Sequence, residues 1–504
     1  MVGLVVRKFF ASGRLIGVLA LAALPQVAGA TITPGLAVSR LSGPAPLAVH
    51  FDASGTVFDD PAVNTFGELG YRFTFGEAGG DIWPHSGKPK NEQIGGPIAA
   101  HVYSKPGTYT ATLEVGSIDG QRALKTVQIT VSAADDSFAG SKTVCFMMTP
   151  ADVGCPADAT RKTLTTSWGS LASGTRYLLA AGQDFTALGG LSTSCSDCQV
   201  GSYGPGAKPL VKKITYAPRP ALPQAKNFSV IGLSLGGASI QFGENVLFQG
   251  NDIFCKDLAS AGIYVGDTAQ YYFRNPGTFD PMKVPWPKNI FVVENDMNSF
   301  LTADYGIFAI ANRLTILGNS IRNPQQHVVR VALARSAFIA HNLLGNVPNP
   351  IKHQLKFHSS GLQEWVSDFV GDAPTPASFA SVVSSNQIGE ESGDVNNWQV
   401  NLGPKNAQSI EGHKYEIVED NLFVNNPSAP GYQVQVIVTG IGMYERGNKF
   451  KNSIDPISVG TVGESALNPP EWKGPIVKGQ ASVAEWLGRS STTAPPSAVD
   501  LQVQ

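Results

Sequence analysis

The chain has 504 residues, of which 42% are hydrophobic and 15% charged, with 54 glycines and 34 prolines. So many turn formers and so few charges exclude a disordered chain, a coiled coil and a mostly helical bundle, and point to an all-β fold. With 37 basic against 39 acidic residues the formal charge is -2, so no global basic field gathers nucleic acid or an anionic membrane surface. At the start of the chain, Arg7, Lys8 and Arg14 precede an apolar run over residues 15–24, and Ala28-Gly29-Ala30 supplies small residues for cleavage. This pattern predicts a secretory signal peptide over residues 1–30, since the run is about half of the roughly 20 residues a membrane span needs. The expected location is extracellular or periplasmic, with no transmembrane segment after signal removal. There the five cysteines can oxidise: Cys145 with Cys155 and Cys195 with Cys198 are the local pairings, leaving Cys255 free.

Residues 31–133 alternate apolar and polar side chains in short runs broken by turns, among them Leu47-Ala48-Val49-His50-Phe51, Tyr71-Arg72-Phe73-Thr74-Phe75 and Val127-Gln128-Ile129-Thr130-Val131. Period-2 strands at this spacing predict a small β-sandwich. Gly43-Pro44-Ala45-Pro46-Leu47, Phe51-Asp52-Ala53-Ser54-Gly55, Phe73-Thr74-Phe75-Gly76-Glu77, His101-Val102-Tyr103 and Pro106-Gly107-Thr108-Tyr109 resemble the PKD domains of secreted bacterial enzymes. Phe73 stands where that family usually has Trp. The resemblance implies a spacer or a weak polymer-binding unit attached to a catalytic partner, the spacer being the simpler expectation.

Over residues 134–470 the texture changes to short apolar strands that each end at an asparagine: Asn251, Asn295, Asn319, Asn342, Asn386, Asn421 and Asn448, spaced 44, 24, 23, 44, 35 and 27 apart. A rung of about 23 to 27 residues with insertions is what a solenoid of parallel β coils leaves in sequence. An asparagine at a fixed place bonds its counterparts one coil above and below, which makes these residues structural. A second strand aligns earlier in each coil, with outward residues Gln241, Tyr264, Phe308, Arg330, Lys356, Gln399 and Gln435, then Gly243, Gly266, Ile310, Ala332, His358, Asn401 and Ile437. The pattern resembles the right-handed parallel β-helix of the pectate-lyase-like superfamily, as do Tyr203-Gly204-Pro205-Gly206 and Leu402-Gly403-Pro404-Lys405-Asn406. That superfamily contains lyases, hydrolases, esterases, epimerases and binding proteins. Residues 471–504 read as a cap and a loose tail.

Arg330 and Lys356 should lie on neighbouring coils about 4.8 Å apart in backbone, both pointing outward. Such a cation pair suits an anion, for example a uronate carboxylate. His358 follows on the same face, and His327 and His353 repeat the 26-residue spacing of the cation pair. Tyr264 and Phe308 on one side, Gln399 and Asn401 on the other, offer a flat apolar surface and amides to sugar rings, with an aromatic ladder between coils as the alternative. Insertions at 268–288 and 360–378 leave the coil near this face and could wall a groove. The expectation is a monomeric enzyme acting on an acidic polysaccharide by β-elimination. Arg330 would clamp the carboxylate, and Lys356 or His358, with a lowered pKa, would move the proton. The resemblance implies calcium as a possible cofactor, for which Glu390, Glu391 and Asp394 are the nearest donors. A glycoside hydrolase would need paired carboxylates, with Glu244, Asp267 and Asp304 as candidates. A polysaccharide-binding surface protein would need neither His358 nor Lys356.

Overall fold

The computed structural model describes residues 31–151, 153–217, 225–255, 261–266, 287–298, 305–349, 352–357, 378–391, 399–402, 413–428, 436–438, 440–452 and 477–480. The expected signal peptide, His358, Asp394, Asp267, Asp304 and nearly all of the two long insertions lie outside these residues. No helix among the described residues is long and apolar enough to cross a membrane.

The N-terminal module is the expected sandwich. One sheet orders Ala37–Val38, Leu47–Asp52 and Ile98–Tyr103; the other orders Ser42–Pro44, Arg122–Ser132, Gly107–Gly116, Gly70–Thr74 and Glu92–Gly95. Leu47, Val49, Phe51, Phe73, Leu113 and Ile129 fill the space between them. Simple alternation would leave every second residue of Leu47–Asp52 wet, yet all of its first five residues are buried. The outer side of this sheet is therefore covered as well, and the second module covers it.

That module is a parallel β-helix. From Thr143–Met147 onward the described residues add strands to one continuous sheet of 21 and to a second of nine short ones, and the coil-to-coil pairings are parallel. A full coil has three faces, represented by Ala261–Val265 (the first face), Lys288–Val293 (the second) and Asp296–Met297 (the third). In the next coil one strand, Tyr305–Leu317, supplies the first two faces, and Ser320–Ile321 the third. Inward residues of successive coils, such as Val265, Ile290, Val292 and Met297 followed by Ala309, Leu314, Ile316 and Ile321, form one long core. Cys145 is bonded to Cys155 and Cys195 to Cys198, and Cys255 is buried and outside both disulfides. The segment Val477–Gln480, expected to be cap or tail, adds a strand beside Gly440–Arg446.

The seven asparagines stack as the spacing predicts, at the corner between the second and third faces. Each Nδ2 donates to the Oδ1 of the next coil's asparagine at 2.9 to 3.0 Å, from Asn251 through Asn448. The backbone N–H of each also donates to that same Oδ1, and Nδ2 reaches a carbonyl of the preceding coil. The residue before each asparagine adopts positive φ: glycine at 250, 318 and 447, but Glu294, His341, Ser385 and Asp420 elsewhere. These four side chains are placed sideways by the turn, and they return below as contacts to the sandwich. Replacing Asn319, which is fully buried, by leucine orphans the backbone and side-chain N–H groups of Asn295 and takes one of its two donors from the Oδ1 of Asn342. The expected loss is about 3 kcal/mol, read as a lower midpoint of chemical denaturation.

The register on the first face departs from expectation at both ends. Ser239, not Gln241, pairs with Tyr264, and Asn401, not Gln399, pairs with Lys356, while Ile437 follows Asn401 as expected. Each slip is two residues, which preserves the inward and outward alternation and so is invisible to it. A bulge between Ala309 and Ile310 brings Leu333, not Ala332, beside Ile310.

The outward column of the second face runs Leu247, Phe291, Thr315, Phe338, Val382, Ile417 and Tyr444, in register over successive coils. All but Thr315 are large and apolar. Ala48, Phe66, Trp83, Ile98 and Ala100 of the sandwich pack on this stripe. Polar contacts flank it: Lys90 with Glu294, Lys88 with Asp420 and Ser385, and Gln93 with Ser384. The sandwich is thus a docked flank of the β-helix, where the simpler expectation was a spacer.

Candidate functional site

The strands of the first face bring together most of the residues that the sequence singles out. Tyr264, Phe308, Arg330, Lys356 and Asn401 follow one another in register on five coils. The rings of Tyr264 and Phe308 stack at 4.6 Å between centroids. The Arg330 guanidinium lies 5.5 Å from the ring centres of both Phe308 and Tyr305. Its Nη1 donates to the Tyr305 hydroxyl at 2.7 Å. Resting against two adjoining rings and tied at one corner, the fork keeps donors to spare: among the described residues no carboxylate pairs with Arg330, and its buried Nε–H has no acceptor. Lys356 sits one coil further along, half-buried.

A second column lies just upstream on the same coils. Tyr305, His327 and His353 stack, with centroids 5.9 and 5.0 Å apart. The backbone N–H of His353 donates to Nδ1 of His327 at 2.9 Å, so that nitrogen carries a lone pair and the neutral ring keeps its proton on Nε2. Burial, followed by the charge fields of His353, Lys356, Arg330 and Lys352, pushes His327 well below the ordinary imidazole range. The ring remains neutral while the surface beside it stays positive. Tyr305 was not among the expected residues. Its spacing to His327 matches that from Ile307 to Val329, a signal readable only once the strand register is known.

Other expectations are corrected. Tyr264 and Phe308 are 7% and 1% exposed, so they form a ladder inside the column and offer no open platform. Gln399 is buried in the corner of the coil and donates to the Val424 carbonyl at 2.5 Å. Asn401 takes its register place beside Lys356. Glu390 is engaged by Arg322 at 2.9 Å and Glu391 by Lys451, so each has a cationic partner, and Asp394 lies outside the described residues. Among the described residues no group of three or more His, Cys, Asp or Glu is arranged to hold a metal ion. Glu244 belongs to the second face and pairs with Lys288 at 3.0 Å, away from the cation column.

Residues 35–131 match the family model of the PKD domain. No curated protein matches the chain. The solved structures similar to it include these two. One is a family 28 exopolygalacturonase of Yersinia enterocolitica, at 10% identity and TM-score 0.31, covering 89% of this chain and 98% of that one. The other is a structure of carbohydrate-binding modules from the β-sandwich superfamily, at 21% identity and TM-score 0.16 over 22% of this chain; the chain spans only 41% of its length. The coordinates and the domain match agree on the architecture: a PKD domain joined to a parallel β-helix.

Proposed function

We propose that this is a secreted protein that binds an acidic polysaccharide along the first face of its β-helix and cleaves it by β-elimination. The observation that carries this reading is Arg330, immobilised by Tyr305 and Phe308, in register with Lys356, and without a carboxylate partner among the described residues. A planar guanidinium in that state is suited to the two oxygens of a uronate carboxylate.

In the elimination, a base takes the proton from the carbon beside the carboxylate. The electrons of that C–H bond form a carbon–carbon double bond, the glycosidic C–O bond breaks, and the departing oxygen is protonated. Arg330 stabilises the charge that builds on the carboxylate as the proton leaves. Lys356 and His358 are the proposed proton carriers. His327 and His353, expected as substrate contacts, are 4% and 3% exposed; the neutral His327, its tautomer fixed by His353, is proposed to position Tyr305 in the stack behind Arg330. Calcium enters no step.

A panel of uronate polymers tests the reading by absorbance, because elimination alone creates a conjugated double bond. At least one polymer should yield an ultraviolet-absorbing product. New reducing ends without absorbance would assign a hydrolase instead, and neither signal on any polymer would assign a binding protein.

A further inference from the structure

Two histidines sit in the contact between the modules, each with both ring nitrogens used across it. His50, on the sandwich strand Leu47–Asp52, is 1% exposed. Its Nε2 meets the Ser336 hydroxyl at 3.0 Å and its Nδ1 the Thr315 hydroxyl at 3.1 Å. Ser336 gives its own proton to Asp52 at 2.8 Å, so it accepts from Nε2–H, and Nδ1 must accept from Thr315. His341, on the β-helix, is also 1% exposed. Its Nε2 meets Oε1 of Gln93 and its Nδ1 the Ser86 hydroxyl, both at 2.8 Å. Gln93 spends its Nε2 as a donor to the Ile94 carbonyl and to Ser384, so Oε1 accepts and the imidazole again carries its proton on Nε2. Trp83 of the sandwich lies flat on this ring at 5.2 Å. Both bridges are thus built for a neutral imidazole.

We infer that the docking of the sandwich onto the β-helix is an acid-released latch, closed while His50 and His341 are neutral and opened when they take up protons. A second proton on either ring turns its accepting Nδ1 into a donor aimed at a hydroxyl that was donating, at a ring only 1% exposed. The charged groups facing His50 are Asp52 from its own strand and Arg313 from the β-helix. His341 faces Lys88, which is paired with Asp420. Burial, opposed by Asp52 and aided by Arg313, pushes His50 from the usual 6.5 down to about 4. Burial and then Lys88 push His341 well below its ordinary range. The released imidazoles therefore bind protons at a higher pH than the docked ones. The latch is at full strength above about pH 6.5 and weakens progressively toward about pH 4. Burial raises the carboxyl of Glu419, also in the contact, so its protonation does not drive release.

The test is small-angle scattering of the full chain from about pH 7.5 to about pH 3.5, with far-ultraviolet circular dichroism to confirm that both modules stay folded. The wild type should lengthen with a midpoint between about pH 4 and 6.5. The double variant His50→Gln, His341→Gln keeps hydrogen-bonding groups but cannot ionise, so its midpoint should fall by at least one pH unit. A wild type still compact at about pH 3.5, or a variant that opens at the wild-type midpoint, overturns the proposal. Should the variant fail to fold, histidine-selective labelling of the wild type gives the same decision by nuclear magnetic resonance. Two imidazoles must titrate together with the lengthening; titration of all imidazoles while the chain stays compact overturns it.

Discussion

Replacing Arg330 by alanine should lower kcat/KM about a hundred- to a thousandfold on the polymer that gives the absorbing product, with little change in the unfolding midpoint. The magnitude is that of losing a preorganised donor aimed at developing negative charge. The small stability effect follows from the position: Arg330 points outward, is half-buried, and contributes to the column through Tyr305 and Phe308 and not through the core. Lysine at 330 should rescue only a small part, because it supplies the charge without the fork. Tyr305→Phe is a gentler probe: it removes the hydroxyl that fixes Nη1 and should cost about tenfold in kcat/KM while the rings stay stacked. Lys356→Ala should abolish the absorbing product with the fold intact. Full activity in either alanine variant would remove that residue from the mechanism.

The second large effect concerns stability. Arg446 is fully buried, its Nε donates to Glu419 at 2.8 Å, and its Nη1 donates to the Gly67 carbonyl at 2.7 Å. The other oxygen of Glu419 accepts from the backbone N–H of Gly96 at 2.8 Å. One ion pair therefore stitches a short helix and a turn of the sandwich to two coils of the β-helix. Arg446→Met leaves a buried carboxylate and a buried carbonyl unpaired, with an expected cost of about 3–5 kcal/mol. Denaturant titration at neutral pH should show a midpoint well below that of the wild type. Adding Glu419→Met removes the stranded charge and should recover part of the loss, the signature of a broken buried pair as opposed to lost volume.

Much of this architecture is written locally in the sequence, and the rest depends on distance. The asparagine ladder is legible because a buried amide at a tight corner has one good solution, its own kind one coil away, so seven residues announce themselves by type and position. Arg330 and Lys356 are legible for a similar reason, since no insertion disturbs the 26-residue coil between them. Gln399 was misplaced because alternation with period two cannot detect a slip of two. Tyr305 was missed because aromatic residues are ordinary in strands and only register joins it to His327. The docking face left a trace in runs such as Val246-Leu247-Phe248 and Ile290-Phe291-Val292, where apolar residues follow one another without alternating. Such runs mark strands covered on both sides. What covered them was not readable from local pattern, because Ala48 and Ile98 precede their partners by more than a hundred residues.

Solenoids ordinarily tolerate gain or loss of whole repeats, because each turn touches only its neighbours. Here the flank bridges from Leu247 to Tyr444, and its anchoring groups meet particular turns: Lys90 at 294, Trp83 at 341, Lys88 at 420 and Gly67 at 446. Inserting or excising one winding anywhere in that interval would displace every later anchor by about 4.8 Å. The number of windings under the flank is thereby fixed, like the rungs of a ladder bolted to a wall.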